Sequence, residues 1–270
     1  MDMKRILAFV IGLSVASGAF AQSFGSRMAD VDLDWELGES AFSVAPVSYV
    51  YFGFNSLLNA EAEYKAHTGF FRTQQLGANI IELAVKPFEG GRFSLGADFA
   101  ANWYRLNKDY MWVPYKYNFG DYTGRGENGM FVKYEPKELN GIQEVKKSLL
   151  TVCTFSFPVN FSYTFGAITT MLGASLEVNL NGRVSFKGVD VQGNKIVETS
   201  SGNRFSKKIG TNRLGFNVHA ALSYGGLGLF VQYNPMPKFY KYYDEERKAE
   251  SFCGPQFQTV SVGVIWGLGM

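Results

Sequence analysis

The sequence has little of what most active sites and charged interfaces are built from. Two cysteines in 270 residues exclude a disulfide-stapled miniprotein and any multi-cysteine zinc or iron–sulfur centre. Two histidines leave few metal constellations open, and neither a metal nor a cofactor is expected. Lys and Arg number 26 against 24 Asp and Glu, which is not the strongly basic footprint that nucleic acid requires. No continuous apolar run reaches the about 18 residues that a membrane helix needs. With 46% apolar and 19% charged residues, disorder is excluded as well. What is present is aromatic and small: 24 Phe, 15 Tyr, 4 Trp and 30 Gly. That composition disfavours helices and suits strands joined by tight turns.

The first residues read as an address. Lys4 and Arg5 precede a short apolar stretch over 6–13, and Ala19-Phe20-Ala21 matches a small-residue cleavage pattern. Segment 1–21 is therefore expected to be an export signal, which leaves the periplasm, the exterior or the outer membrane as destinations.

Alternation decides among those. From Phe93 to Trp103 the odd positions are Phe93, Leu95, Ala97, Phe99, Ala101 and Trp103, while Ser94, Asp98 and Asn102 lie between them. The same period of two recurs over 168–181, 213–224, 227–234 and 259–268. Strands of soluble sandwiches run five or six residues; runs of ten or more are what a tilted membrane strand needs. The spacing predicts strands over 49–56, 75–86, 92–106, 148–165, 167–181, 211–224, 227–238 and 256–268. The links alternate between short, as at Gly166-Ala167 and Gly225-Gly226, and long, as over 57–74, 107–147, 182–210 and 237–255. This predicts an all-β fold, an eight-stranded antiparallel up-and-down transmembrane β-barrel with four long extracellular loops. Residues 22–46 would be a periplasmic lead segment and 47–270 the barrel domain; the alternation of Asp32, Asp34 and Glu36 with Leu33, Trp35 and Leu37 leaves open a ninth strand paired with a tenth. Two-residue turns pair Tyr224 with Leu227, His219 with Gln232, and Phe165 with Ile168. A phase change near Ile80-Ile81 predicts a bulge.

The stretch Thr154-Phe155-Ser156-Phe157-Pro158-Val159-Asn160-Phe161-Ser162-Tyr163-Thr164-Phe165-Gly166 resembles a strand of small PorT-like, OmpA-like outer-membrane β-barrel proteins. Gly226-Leu227-Gly228-Leu229-Phe230-Val231-Gln232-Tyr233-Asn234-Pro235 resembles the penultimate strand of that family, and 260–267 its closing strand. The resemblance implies an outer-membrane barrel of diverse or unassigned role, assembled by the barrel-insertion machinery and surrounded by outer-membrane lipid and lipopolysaccharide. It brings no catalytic residues. The His-x-Ser strand pattern of barrel lipid deacylases fails at His219, which is followed by Ala220 and Ala221. His67 among Glu61 and Glu63 mimics the acidic rim of omptin-like proteases only weakly.

Phase assignment sends a polar network into the lumen: Glu82, Lys86, Asp98, Glu177, Arg213, His219 and Gln232. Glu177 should lie opposite Gly215, with Arg213 one diagonal step away and paired to it. Eight strands leave a lumen that side chains fill, so a non-conducting barrel with a structural or cell-surface interaction role is expected. A small channel or a lipid or peptide hydrolase is the alternative. Tyr110, Trp112, Tyr115 and Tyr117 in the second long loop form either a stacking platform for an unassigned surface ligand or an aromatic girdle. In the third, Arg183, Lys187, Lys195, Arg204, Lys207 and Lys208 outnumber Asp190 and Glu198, a basic rim suited to lipopolysaccharide phosphates. Cys153 and Cys253 fall on different sides of the barrel and are expected to be unbridged, as free or buried thiols.

Overall fold

The computed structural model describes residues 42–60, 68, 70–106, 110–112, 117–119, 122–124, 131–133, 142–190, 192–202, 211–237, 239, 241–244, 249–252 and 256–268. Strands β1 (Phe42–Pro46) and β2 (Val50–Leu58) lead to a 3-10 turn at Phe70–Arg72, then to β3 (Thr73–Phe88) and β4 (Gly91–Leu106). Short strands β5 (Tyr110–Trp112), β6 (Tyr117–Phe119), β7 (Tyr122–Gly124) and β8 (Phe131–Lys133) lie in the next connection. The long strands β9 (Ile142–Phe165) and β10 (Ile168–Asp190) follow, with β11 (Lys195–Gly202), β12 (Leu214–Tyr224) and β13 (Leu227–Asn234). The hairpin β14 (Lys241–Asp244) and β15 (Ala249–Phe252) precedes the last strand, β16 (Gln258–Trp266).

Each long strand pairs with its sequence neighbour in the wall, always antiparallel. The order is β2, β3, β4, β9, β10, β12, β13 and β16, and β16 pairs back onto β2. Eight strands thus close a ring. A closed sheet has no unpaired wall edge, so its backbone groups are satisfied without solvent.

The predicted registers hold. Tyr224 pairs with Leu227 and His219 with Gln232, and Phe165 pairs with Ile168. Gly225 and Gly226 both have positive φ, 57° and 83°, which a two-residue hairpin turn requires and a side chain resists. The β3 bulge is where the phase change put it, between Asn79 and Ile81. Beside it the first wall strand breaks. Pro46 pairs with Ile81 and Val50 with Ala78, and the backbone turns at Val47, whose φ is 47°. So Phe42–Pro46, inside the stretch read as a lead segment, is strand and extends the wall along β3.

The third long connection departs from its reading as a plain loop over 182–210. β10 continues to Asp190 and hairpins with β11, while β9 begins at Ile142 and follows β10 the whole way. The reason is visible in the sequence only afterwards. Gly182, Val184, Phe186 and Gly188 keep the inward alternation beyond Asn181, but a register shift between Asn179 and Asn181 interrupts the count.

Alternation sets two opposite faces. Outward are Phe93, Leu95, Phe157, Val159, Leu172, Leu176, Leu222, Leu229 and Val264, with Leu172 and Leu229 more than 60% exposed (65% and 64%). Inward are mostly buried polar residues, among them Asn79, Asp98, Asn160, Glu177, Asn217 and Asn234. Two inward apolar layers cross this polar interior. One holds Tyr49, Tyr51, Met171, Phe230, Ile265 and Leu268 towards the short-turn end. The other, at the long-loop end, holds Leu57, Tyr104, Leu150, Val184, Trp112, Phe239 and Phe257.

Candidate functional site

The ring interior is the site that the fold builds. Strand alternation delivers every second side chain to it, and the closed wall removes water, so each polar group needs a partner inside. Glu82, Asp98 and Glu177 are all buried there, as phase assignment predicted, but they are not held by the cations the sequence suggested.

Glu177 lies opposite Gly215. A Cβ at residue 215 would sit 2.8 Å from its Oε2, so the glycine leaves room for the carboxylate. Three side-chain amides bind it. Asn217 Nδ2 donates to Oε1 at 2.8 Å, Asn234 Nδ2 to Oε2 at 2.8 Å, and Gln232 Nε2 to Oε1 at 3.4 Å. Arg213 is not part of this cradle. It precedes β12, and its side chain is exposed. At the mouth of the ring a guanidinium stays near the surface, which is cheaper than entering the interior.

His219 sits between two asparagines. Its Nε2 is 2.7 Å from Asn160 Oδ1 and its Nδ1 3.1 Å from Asn217 Oδ1. It faces Gly173 across the β10–β12 ladder. A Cβ there would come within 2.1 Å of Asn160 Oδ1 and 2.6 Å of His219 Nε2. Asn217 therefore links His219 to Glu177, and Gln75 Nε2 donates to Gln232 Oε1 at 3.3 Å.

Asp98 accepts from Asn79 Nδ2 at 2.7 Å and from the Tyr49 hydroxyl at 3.1 Å. Glu82 pairs with Arg92, whose guanidinium nitrogen lies 3.0 Å from Oε2. Arg92 was missed in the sequence, although its parity is that of Ser94 and Asp98. Lys86 shares the parity of Glu82 but is exposed. The β3 ladder loses register between Val85 and Phe88, and Lys86 lies at the short-turn rim, outside the network. Tyr49, Asn79, Asn160, Asn217 and Asn234 were also missed, because amides and phenols carry no charge signal.

The interior retains a cavity of about 30 Å³ lined by Tyr51, Asp98, Ser156, Met171, His219 and Gln232, room for one or two waters. Among the described residues no three His, Cys, Asp or Glu side chains converge as a metal site.

The loop aromatics part company. Trp112 is 0% exposed. Its Nε1–H donates to the Tyr104 carbonyl at 2.8 Å, and its backbone N–H donates to Ser148 Oγ at 2.8 Å. Phe239 lies 6.0 Å away, ring to ring. Trp112 therefore plugs the long-loop end and is no surface platform: the indole has an internal partner for its one donor and an apolar layer for its rings. Tyr110 and Tyr117 belong to β5 and β6; Tyr115 lies outside the described residues, as do His67 and Cys253. Cys153 is a half-buried free thiol on the outward face.

No protein-family profile matches the chain, and no curated protein does. Among solved structures it is similar to Neisserial surface protein A (NspA) at 12% identity and a TM-score of 0.30, covering 84% of this chain and 99% of that one. It is similar to the outer membrane protease OmpT from Escherichia coli at 12% identity and a TM-score of 0.29, covering 72% of this chain and 63% of that one. The translocator domain of the autotransporter NalP from Neisseria meningitidis gives 12% identity and a TM-score of 0.18, over 97% and 99%. All three likenesses are distant.

Proposed function

We propose that this chain is an outer-membrane β-barrel protein with a side-chain-filled lumen, that its role is structural or in cell-surface interaction, and that it is not an enzyme. One observation carries the reading: a closed ring turns its apolar residues outward and its amides and carboxylates inward. In water an apolar belt of this extent would drive aggregation. Against acyl chains it is the stable arrangement, because the closed ladder leaves no wall backbone group unpaired in lipid. Aromatic clusters near both ends of the wall support membrane interfaces at those levels. Phe54, Phe70 and Phe71 stack at the long-loop end, and Phe88, Phe93, Phe161 and Tyr163 at the short-turn end. The export-signal pattern over 1–21 and the PorT-like resemblance favour the same location.

In this reading the long connections face the exterior and the short turns the periplasm. The barrel-insertion machinery assembles the chain, and lipopolysaccharide surrounds its outer half. Two apolar layers and the amide cradle of Glu177 speak for a sealed lumen rather than a small channel. Cell fractionation should recover the protein in the outer membrane, with heat-modifiable migration on a gel; a soluble periplasmic protein would overturn the proposal. In planar bilayers the purified barrel should give no stable openings, and stable wild-type conductance would refute the sealed lumen.

A further inference from the structure

Four cations stand together on the outward face of the wall, where the apolar belt ends. Lys147 on β9 and Lys187 on β10 are direct cross-strand partners. Arg105 on β4 lies opposite Leu149, the next outward position on β9. Arg183 on β10 lies opposite Thr151, one step further back, and Thr151 is flanked on its other side by Trp103. Directly opposed side chains in a ladder have Cβ atoms about 5 Å apart, and diagonal ones about 7–8 Å. The lysines are thus a direct pair, Arg105 is diagonal to Lys147, and Arg183 stands two outward levels back on β10, so three paired strands present four positive side chains over three successive levels of one face.

The arrangement is unfavourable by itself. Like charges facing each other across a ladder destabilise it, and among the described residues none of the four is ion-paired. Glu144, opposite Val189, stands one outward position beyond the lysine pair on the same face. Lys147 is held below the ordinary lysine range, first by burial and then by Arg105 and Lys187. A neighbouring anion would remove this repulsion.

The position selects the anion. The cluster points sideways, on the face that carries the lipid-facing residues: Arg183 is level with Trp103, Arg105 is level with Leu149, and the lysine pair stands one outward step, about 7 Å of strand, beyond Leu149. It lies at the long-loop end, beside the β9–β10–β11 extension. What stands beside a barrel just above its acyl layer is a lipid head group.

We propose that Arg105, Lys147, Arg183 and Lys187 form a binding site for the phosphorylated sugar head group of an outer-leaflet lipid. This rests on the membrane-spanning reading and names its partner. Two guanidinium forks and two ammonium groups suit phosphate monoesters on a saccharide, which offer several acceptor oxygens at once.

The test uses the whole protein folded in neutral detergent micelles, with three probes: bis-phosphorylated lipid A, its dephosphorylated counterpart, and inorganic phosphate. Wild type should bind the phosphorylated lipid at least about tenfold more tightly than the dephosphorylated one, since each lost charge-assisted contact is worth that much. Millimolar inorganic phosphate should not displace it. The double variant Lys147→Gln/Lys187→Gln should lose the preference while keeping heat-modifiable migration. Lys187→Glu should lose it too, yet resist urea at least as well as wild type, because it creates a cross-strand ion pair with Lys147. Equal affinity for the two lipids, a preference unchanged in both variants, or displacement by inorganic phosphate would overturn the site. A chain that stays monomeric in water without detergent would overturn the membrane reading, and the site with it. A folded, detergent-bound barrel without phosphate preference would overturn the site alone.

Discussion

The amide cradle of Glu177 makes a quantitative claim that separates the structure from the charge pairing expected of the sequence. Replace Asn234 with Ala. The change deletes a 2.8 Å bond to Oε2 from a buried residue, leaving one carboxylate oxygen without that donor. A hydrogen bond to a charged group contributes about 1.5–3 kcal/mol, and the vacated side-chain volume adds a smaller cavity cost. Asn234→Ala should therefore cost about 2–3 kcal/mol. Asn217→Ala should cost at least as much, because Asn217 also contacts His219 Nδ1. Gln232→Ala, which deletes a 3.4 Å bond, should cost less. Arg213→Ala, exposed at the mouth, should cost about 1 kcal/mol or less. The assay is equilibrium urea unfolding of the folded protein in lipid vesicles, followed by tryptophan fluorescence and read only where unfolding and refolding curves coincide. If Arg213→Ala costs as much as Asn234→Ala, a guanidinium holds the carboxylate and the cradle is wrong.

Three further outcomes follow from the same geometry. Gly173→Ala should destabilise the closed ring by about 1–3 kcal/mol by overpacking, and His219→Ala should rescue it only in part, because Asn160 Oδ1 and the Val159 carbonyl still crowd the new Cβ; full rescue would leave His219 as the sole obstacle. Trp112→Ala should cost about 3–5 kcal/mol, and in a variant keeping only that tryptophan, acrylamide should quench it poorly; strong quenching would place the ring outside the plug. At the β10–β11 turn, the Asn194 side chain first, and then the Asn194 and Gln192 backbone N–H groups, bond the Asp190 carboxylate and hold it below its ordinary 3.8. A depressed carboxyl stabilises the turn above that ordinary value and loses the effect as pH falls through the folded one. Amide exchange at Gln192 and Asn194 should therefore quicken below about pH 4 relative to Asp190→Asn, for which no such change is expected.

Much of the wall was legible because strand alternation is a local property. Two residues per repeat, fixed by the backbone, tell which side chains share a face, and a two-residue turn then fixes register without further information. That is why the 165–168 and 224–227 hairpins, the bulge at Ile80 and the opposition of Glu177 and Gly215 could be read before any coordinates. The sequence could also place Glu82, Asp98 and His219 inside, since inward parity needs nothing but counting. It could not choose their partners. Whether Glu177 meets Arg213 or three amides depends on how far each strand runs into the ring before its mouth opens to solvent, and on Gln232 and Asn234 arriving from β13. Trp112 and Phe239 looked like loop residues because they are distant in sequence from what they cover; only closure of the ring created the apolar layer that takes them in. Lys86 and Arg213 share the inward parity yet remain outside. At a strand end the surface competes with the interior for a charged side chain, and that contest is decided by depth in the tertiary structure, which the period of two does not encode.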